Sequence, residues 1–150
     1  MEVRMREQTA LFIGHGECYG VDRQQITDAA EQLIAMGVTD FLCGGMGDFD
    51  WKCARAVYEL KEKYPAIRSF LVIPYLTFNI RNRELFDDVI YPDGFEKYHF
   101  KAAITQRNRY MVKNAAYGIC YITHGWGGAV KTFEYAKRQG LHLLNLGTYD

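Results

Sequence analysis

A glycine-rich loop, Gly125-Trp126-Gly127-Gly128, is the segment of the chain best suited to bind an anion. It lies between a predicted strand and a predicted helix, so backbone N–H groups and the positive end of the helix dipole can receive a phosphate. Gly127 and Gly128 would also let a ligand approach the backbone closely. The spacing matches neither the Walker A motif nor GxGxxG, and the alternative interpretation is a tight turn that needs glycine only for packing.

The charges around this loop favour the anion interpretation. No Asp or Glu occurs from Lys97 through Phe133, a stretch of 37 residues that contains six lysines and arginines. Such a stretch attracts anions unless acids elsewhere in the fold balance it. Arg107 and Asn108 flank the apolar stripe of the predicted helix that contains them. Because an unpaired guanidinium at the edge of a core is costly, Arg107 needs either a structural carboxylate or a bound anion as its partner.

A second loop, GGMGDFD at residues 44–50, predicts a different chemistry. Asp48 and Asp50 suit the start of a helix, but they would repel a phosphate. Their functional interpretation is hydrogen bonding to ribose hydroxyls. The alternative interpretation is simple capping of the helix N-terminus.

Cysteine and histidine give no metal or disulfide signal. The four cysteines lack CxxC pairs and zinc-ribbon spacing, and we expect reduced thiols. His15, Cys18 and His124 could meet at one edge of the sheet, but their spacing is not that of a metal site. We therefore predict no metal and no cofactor.

The composition is that of an ordinary globular protein, with 150 residues, 49% hydrophobic and 24% charged. This length predicts a single domain over residues 1–150. A formal net charge of zero disfavours a dedicated binder of duplex DNA. No stretch resembles a signal peptide or a membrane helix, which predicts a cytoplasmic protein without a membrane partner. The 15% aromatic content fits either a homo-oligomer surface or core packing.

Strand and helix patterns alternate along the chain, as is typical of a parallel α/β sheet. Strands are predicted at residues 9–13, 41–43, 67–73, 117–122 and 141–146, and helices after Asp22, near Asp48 or Asp50, at 100–114 and after Gly128. Three of the strands end in glycine-rich turns that open helices, at the edge where such sheets bind ligands. Residues 75–96 indicate only a short helix at 81–86 and a strand at 89–91. The predicted fold class is α/β, a Rossmann-like three-layer sandwich with a mostly parallel sheet.

Four motifs together resemble the SLOG superfamily, which contains DprA/Smf, the LOG phosphoribohydrolases and YpsA-like proteins. They are FIGH at residues 12–15, GGMGDFD at 44–50, LVIPY at 71–75 and RNRYMV at 107–112. Their order and spacing are most similar to the small YpsA-like members and extend over nearly the whole chain. The resemblance implies a Rossmann-like domain that binds a nucleotide or nucleotide-derived ligand at the carboxyl ends of the strands.

The loops and the resemblance together define a predicted ligand-binding set. Its members are Gly14, His15, Gly44, Gly45, Asp48, Asp50, Arg107, Asn108, Gly125, Gly127, Gly128, Ala129 and Thr132. The leading hypothesis is a protein that binds a nucleoside monophosphate, ADP-ribose or a similar ligand, as a sensor or accessory protein.

Two alternative functions stay open. Similarity to the LOG enzymes implies hydrolysis of the N-glycosidic bond of a nucleoside 5′-monophosphate, with Arg107 and Glu134 as catalytic residues. However, Trp126 replaces the LOG proline, and the helical repeat turns Glu134 about 110° from the apolar stripe of its helix. The resemblance to the LOG enzymes therefore supports binding of a nucleotide better than it supports hydrolysis. Similarity to DprA implies single-stranded DNA binding, with Arg107, Lys113 and Lys131 as phosphate contacts and Trp126 for stacking, but the net charge does not favour a nucleic-acid partner.

Overall fold

In the computed structural model, which describes residues 5–150, the sheet has six strands and its faces are covered by four α-helices. The strands are β1 (Thr9–Gly14), β2 (Asp40–Cys43), β3 (Arg68–Val72), β4 (Asp88–Ile90), β5 (Tyr117–Tyr121) and β6 (His142–Asn145). The helices are α1 (Arg23–Ala35), α2 (Asp48–Leu60), α3 (Phe100–Lys113) and α4 (Gly128–Arg138). All strand pairs are parallel, in the order β4-β3-β2-β1-β5-β6.

Two hydrophobic cores, one on each face of the sheet, give the protein its three layers. On one face, Ile26 of α1 and Val57 of α2 belong to the same buried cluster as Phe41 of β2. On the other face, Met111 of α3 and Phe133 of α4 complete the second cluster. The central strands are therefore buried on both sides, which is why their sequences are continuous apolar runs rather than alternating ones.

The order of the strands reverses at β1. The chain moves outward in one direction from β1 through β2 and β3 to β4, and α3 then returns it to the other side of β1 for β5 and β6. In open parallel sheets, ligands bind at the carboxyl ends of the strands beside such a reversal. Here that edge contains the loops that follow β1, β2 and β5.

The α/β Rossmann-like fold class is confirmed, and within residues 5–150 the sheet is entirely parallel. The helix predicted after Asp22 begins with a capping box, because Asp22 Oδ1 accepts the N–H of Gln25 and Gln25 Oε1 accepts the N–H of Asp22, at 2.9 and 3.0 Å. The expected short helix at 81–86 is present as a single 3₁₀ turn, Arg83–Leu85, and not as an α-helix. Three residues cannot complete an α-helical turn with its i to i−4 hydrogen bonds.

Among the described residues, no helix is both long enough and apolar enough to cross a lipid bilayer. Each of the four cysteines is buried as a free thiol. In this same part of the chain, no three His, Cys, Asp or Glu side chains cluster in a way that could hold a metal ion.

Candidate functional site

A cavity of about 230 Å³ lies at the carboxyl ends of β1 and β2, and we call it the cleft. Its walls come from five parts of the fold: the end of β1, the loop after β2, and the helices α2, α3 and α4. The lining residues are Phe12, Ile13, Gly14, Gly44, Met46, Asp50, Ile104, Arg107, Asn108, Met111, Gly128, Ala129 and Thr132. The topology thus brings together segments that are more than a hundred residues apart in sequence.

Arg107 of α3 is 2% exposed and fixes the geometry of the cleft. Its Nη1 donates to the carbonyl oxygens of Gly44 and Val72, at 2.9 and 2.7 Å. Its Nε donates to Asn108 Oδ1 at 3.0 Å, and its Nη2 lies 2.8 Å from the sulfur of Met46. The expected partner was a carboxylate or an anion, but the direct acceptors in this structure are chiefly main-chain carbonyls at the ends of β2 and β3.

Glycine at position 44 lets the guanidinium approach the backbone closely. A Cβ on Gly44 would lie 3.1 Å from Arg107 Cζ, which is tighter than an ordinary van der Waals contact. The guanidinium therefore packs against the backbone of the loop after β2. This explains why the two segments that the sequence singled out separately form one unit.

Asp50 is the acidic residue of the cleft. Its Oδ2 accepts the N–H of Met46 at 3.1 Å. Burial raises the pKa of Asp50 to about 6, an effect that the Met46 N–H and the charge of Arg107 oppose. Asp48, in contrast, is exposed in the first turn of α2 and does not line the cleft. The two aspartates therefore have different roles: Asp48 suits the helix dipole, and Asp50 presents a carboxylate beside the guanidinium.

The N-terminus of α4 opens onto the cleft through Gly128 and Ala129. Its N-cap, Gly127, has φ +98° and carries no side chain that could cap the first turn. No acidic residue occupies that turn either, whereas α1 is capped by Asp22 and α2 begins with two aspartates. The helix therefore directs its positive dipole end and uncapped first-turn N–H groups to this edge of the sheet.

A second cavity of about 480 Å³ lies between α3 and α4, and we call it the outer groove. It shares Ile104, Asn108, Gly128 and Thr132 with the cleft, so the two spaces adjoin. Its other lining residues are Thr105, Arg109, Gly125, Val130, Lys131, Glu134, Tyr135, Arg138 and Tyr149. Three cations against one carboxylate make this a basic surface.

The structure gathers most of the predicted ligand-binding set, but not all of it. The cleft contains Gly14, Gly44, Asp50, Arg107, Asn108, Gly128, Ala129 and Thr132, while the remaining members, His15, Gly45, Asp48, Gly125 and Gly127, lie outside its lining. The predicted catalytic pair is divided, since Arg107 lines the cleft and Glu134 lines the outer groove with Lys137 Nζ 3.9 Å from its Oε1. The position of Glu134 around the helix axis explains this separation, because Val130, Phe133 and Ala136 occupy the buried face of α4 and Glu134 lies outside it.

Sequence reasoning missed the basic surface made by Arg109, Lys131 and Arg138 together. It also missed Met46, whose sulfur contacts Arg107. The sequence showed Arg109 and Lys131 as part of a stretch without acidic residues, but Arg138 lies beyond that stretch. Only the packing of α3 against α4 places the three cations along one groove. The aromatic ring of Tyr135 completes this surface, with the guanidinium of Arg109 5.0 Å and that of Arg138 5.9 Å from the ring centroid.

The chain has the fold of DNA processing protein A (DprA). It superimposes on DprA from Streptococcus pneumoniae with a TM-score of 0.62 and 16% identity, over 91% of this chain and 49% of that one. It superimposes on DprA from Helicobacter pylori, whose structure concerns a single-stranded DNA binding mode, with a TM-score of 0.67 and 15% identity, over 96% of this chain and 67% of that one. This chain thus spans about half the length of the first protein. No protein-family model and no curated protein sequence matches it.

The similarity confirms the DprA-type fold that the sequence motifs implied. At 15 to 16% identity it establishes the fold alone. The assignment to the YpsA-like members stays a prediction, as does each role assigned to a site residue.

Proposed function

We propose that this protein binds a nucleotide or nucleotide-derived ligand in the cleft, with a phosphate at the N-terminus of α4. The observation that carries the proposal is the meeting of three features at the reversal point of the sheet. These are a cavity, the uncapped first turn of α4 at Gly128 and Ala129, and the positive charge of Arg107. The helix N-terminus and the guanidinium charge favour an anion, the cavity gives it space, and glycine leaves room for the anion to reach the backbone.

The carboxylate of Asp50 gives the site a second kind of contact. Its Oδ2 accepts the N–H of Met46, and the two oxygens of a carboxylate keep further acceptor capacity for a hydroxyl group. A ribose supplies such hydroxyls, whereas a phosphate would be repelled. In the proposed complex, Asp50 on α2 therefore binds the sugar of the ligand, and the first turn of α4 binds its phosphate.

The dimensions of the site favour a ligand that extends beyond the cleft. Sites for small molecules commonly enclose about 300–1,000 Å³, and the cleft alone measures about 230 Å³. The outer groove adjoins it and adds cations. We infer that part of the ligand, or a second phosphate as in ADP-ribose, lies in the outer groove.

Two substitutions at Gly128 test the proposal. A Cβ there meets no atom within 4 Å, so a side chain is accommodated. Gly128→Asp places a negative charge where the phosphate is expected and also suits the helix dipole, so folding is preserved. Gly128→Asn is the neutral control of similar shape. Calorimetric titrations would use AMP, ADP-ribose and NAD as ligands.

We expect the wild type to bind at least one of these ligands. Gly128→Asp should weaken that binding at least tenfold relative to Gly128→Asn, because a carboxylate repels the phosphate and a lost hydrogen bond to a charged group costs about 1.5–3 kcal/mol. Absence of binding to the whole panel at millimolar concentration would refute the proposal. Equal affinities of the two variants would place the phosphate elsewhere.

The outer groove favours single-stranded DNA as a second candidate. Arg109, Lys131 and Arg138 line it, and the fold is that of a protein for which a single-stranded DNA binding mode is described. In this case affinity falls steeply with salt, with a slope of about −0.7 for each phosphate neutralised. Lys131→Ala should reduce the magnitude of that slope by about 0.7, whereas Lys113→Ala, exposed but outside the groove, should not. An affinity that ignores salt would exclude this candidate.

Hydrolysis of a nucleoside monophosphate has weaker support. Arg107 donates to two main-chain carbonyls, and Glu134 lies in the outer groove beside Lys137. If the protein is such a hydrolase, Glu134→Gln should abolish release of the free base. Unchanged turnover in that variant would remove Glu134 from the mechanism.

A further inference from the structure

A column of three aromatic rings stands at the same edge of the sheet as the cleft. The ring of His15, directly after β1, stacks on the ring of His124 with centroids 3.7 Å apart and planes 14° from parallel. The ring of His124 stacks in turn on Trp126, with centroids 3.6 Å apart and planes 17° from parallel. The order is therefore His15, His124, Trp126, from the interior outward.

The inner end of this column is fixed by the fold. His15 is 8% exposed, and its Nε2 accepts the N–H of Thr123 at 3.0 Å. A neutral His15 consequently carries its proton on Nδ1, and burial together with the neighbouring His124 lowers its pKa. The bond to Thr123 ties the loop after β5 to the end of β1, which are adjacent strands.

The middle ring is held mainly by stacking. The Nδ1 atom of His124 is buried and has no hydrogen-bond partner in the described part of the chain. Its orientation thus depends on the rings on either side of it. The column as a whole positions Trp126 without help from the hydrophobic cores, since the indole belongs to neither buried cluster nor to the residues packed against them.

The outer end of the column is an open indole. Trp126 is 70% exposed although one face of its ring lies against His124. Core packing, the usual reason for a tryptophan, does not apply to it. Trp126 follows Gly125, which lines the outer groove, and precedes Gly128, which lines both cavities, so its backbone belongs to the loop beside the proposed phosphate site.

We propose that the exposed face of Trp126 is a stacking platform for the nucleobase of the ligand whose phosphate sits at the N-terminus of α4. This inference rests on the proposed function and adds the base to it. A ring of either purine or pyrimidine type can stack on an indole, so the platform recognises a base without reading its identity. The same chemistry serves a free nucleotide and a nucleotide within a single strand of DNA.

Comparing ligands with and without a base tests this platform. AMP and ribose 5-phosphate share the phosphate and the sugar, so the ratio of their affinities reports the base alone. In the wild type we expect AMP to bind roughly 5- to 150-fold more tightly, the range that stacking of one base supplies. Trp126→Ala should bring the ratio close to one and leave the affinity for ribose 5-phosphate within about twofold, while Trp126→Phe should keep most of the preference.

Fluorescence gives an independent measurement that does not depend on truncating the indole. The Trp51→Phe variant leaves Trp126 as the single tryptophan of the sequence. AMP should quench its emission, and ribose 5-phosphate should not. Running the same titrations with a thymidine hexanucleotide and its abasic counterpart distinguishes a free nucleotide from single-stranded DNA as the source of the base.

Each result has a defined meaning. The platform is refuted, while the proposed phosphate site stands, if the wild type shows no base preference in either pair of probes or if Trp126→Ala keeps the preference. If the wild type binds none of the four probes, both proposals are refuted. A preference that appears only with the hexanucleotide supports the platform and assigns the base to DNA.

Discussion

Substitution of Arg107 by methionine is predicted to destabilise the fold substantially as well as alter the cleft. Methionine keeps much of the apolar stem and removes the guanidinium. The carbonyls of Gly44 and Val72 then lose the Arg107 N–H donors that lie 2.9 and 2.7 Å from them. Each buried carbonyl left without a donor costs about 1–3 kcal/mol, so the two together cost roughly 2–6 kcal/mol.

An opposing effect reduces this loss. Burial lowers the pKa of the Arg107 guanidinium, although Asp50 opposes that change, so the folded state already carries a cost for holding the charge out of water. Removing the charge removes that cost. We therefore expect a net loss of about 2–4 kcal/mol in the free energy of unfolding, which for a domain of this size lowers Tm by roughly 5–15 °C.

Urea denaturation followed by circular dichroism measures the loss, and Arg109→Met is the matched control. Arg109 lies two residues further along α3, is exposed, and has its guanidinium 5.0 Å from the ring centroid of Tyr135. An exposed cation–π contact is worth about 0.5–1 kcal/mol. The free energy of unfolding should therefore fall clearly less in Arg109→Met than in Arg107→Met. Equal losses in the two variants would refute the idea that Arg107 holds the ends of β2 and β3 together.

Two further predictions concern Gly127, the N-cap of α4, and Asp50 in the first turn of α2. Gly127→Ala forces a Cβ onto a backbone with φ +98°, which only glycine adopts readily, so it should lower the free energy of unfolding in urea by about 1–3 kcal/mol. The control Gly128→Ala, whose Cβ meets open space, should lower it by less than half as much. A larger loss in Gly128→Ala than in Gly127→Ala would contradict the account. Because burial raises the pKa of Asp50 to about 6 from 3.8, its ionisation weakens the folded state as pH rises through this window. The free energy of unfolding of Asp50→Asn, relative to that of the wild type, should therefore rise by up to about 3 kcal/mol from pH 4 to pH 7.5. A difference between the two proteins that does not change with pH would contradict this.

Local signals were sufficient to predict much of the fold. The capping box at Asp22 involves residues three apart, and the apolar runs of β1 and β3 report burial on both faces of a parallel sheet. The segment from 75 to 96 gave weaker signals, because its regular elements are only 3₁₀ turns and the three-residue strand β4. These short elements depend on neighbouring parts of the fold rather than on their own periodicity.

The candidate site was only partly predictable, because its contacts are not local. The sequence indicates that Arg107 needs a partner, but its carbonyl acceptors depend on where β2 and β3 end relative to α3. The helical repeat in the sequence correctly predicts that Glu134 lies away from the buried face of α4. The outer groove that Glu134 lines, however, exists only because α3 and α4 pack side by side. The stacking of His15 on His124 depends likewise on the pairing of β1 with β5.

The most direct test of the central claim is an NMR titration of the isotopically labelled protein with AMP, observing the backbone amides. Binding in the cleft predicts progressive shifts of the amide signals of Gly14, Gly44, Gly128 and Ala129, with the largest changes in the first turn of α4. The amides of Gly37 and Gly140, in the turns that follow α1 and α4, should stay unchanged. Shifts confined to other parts of the surface, or no shift at saturating AMP, would contradict the account.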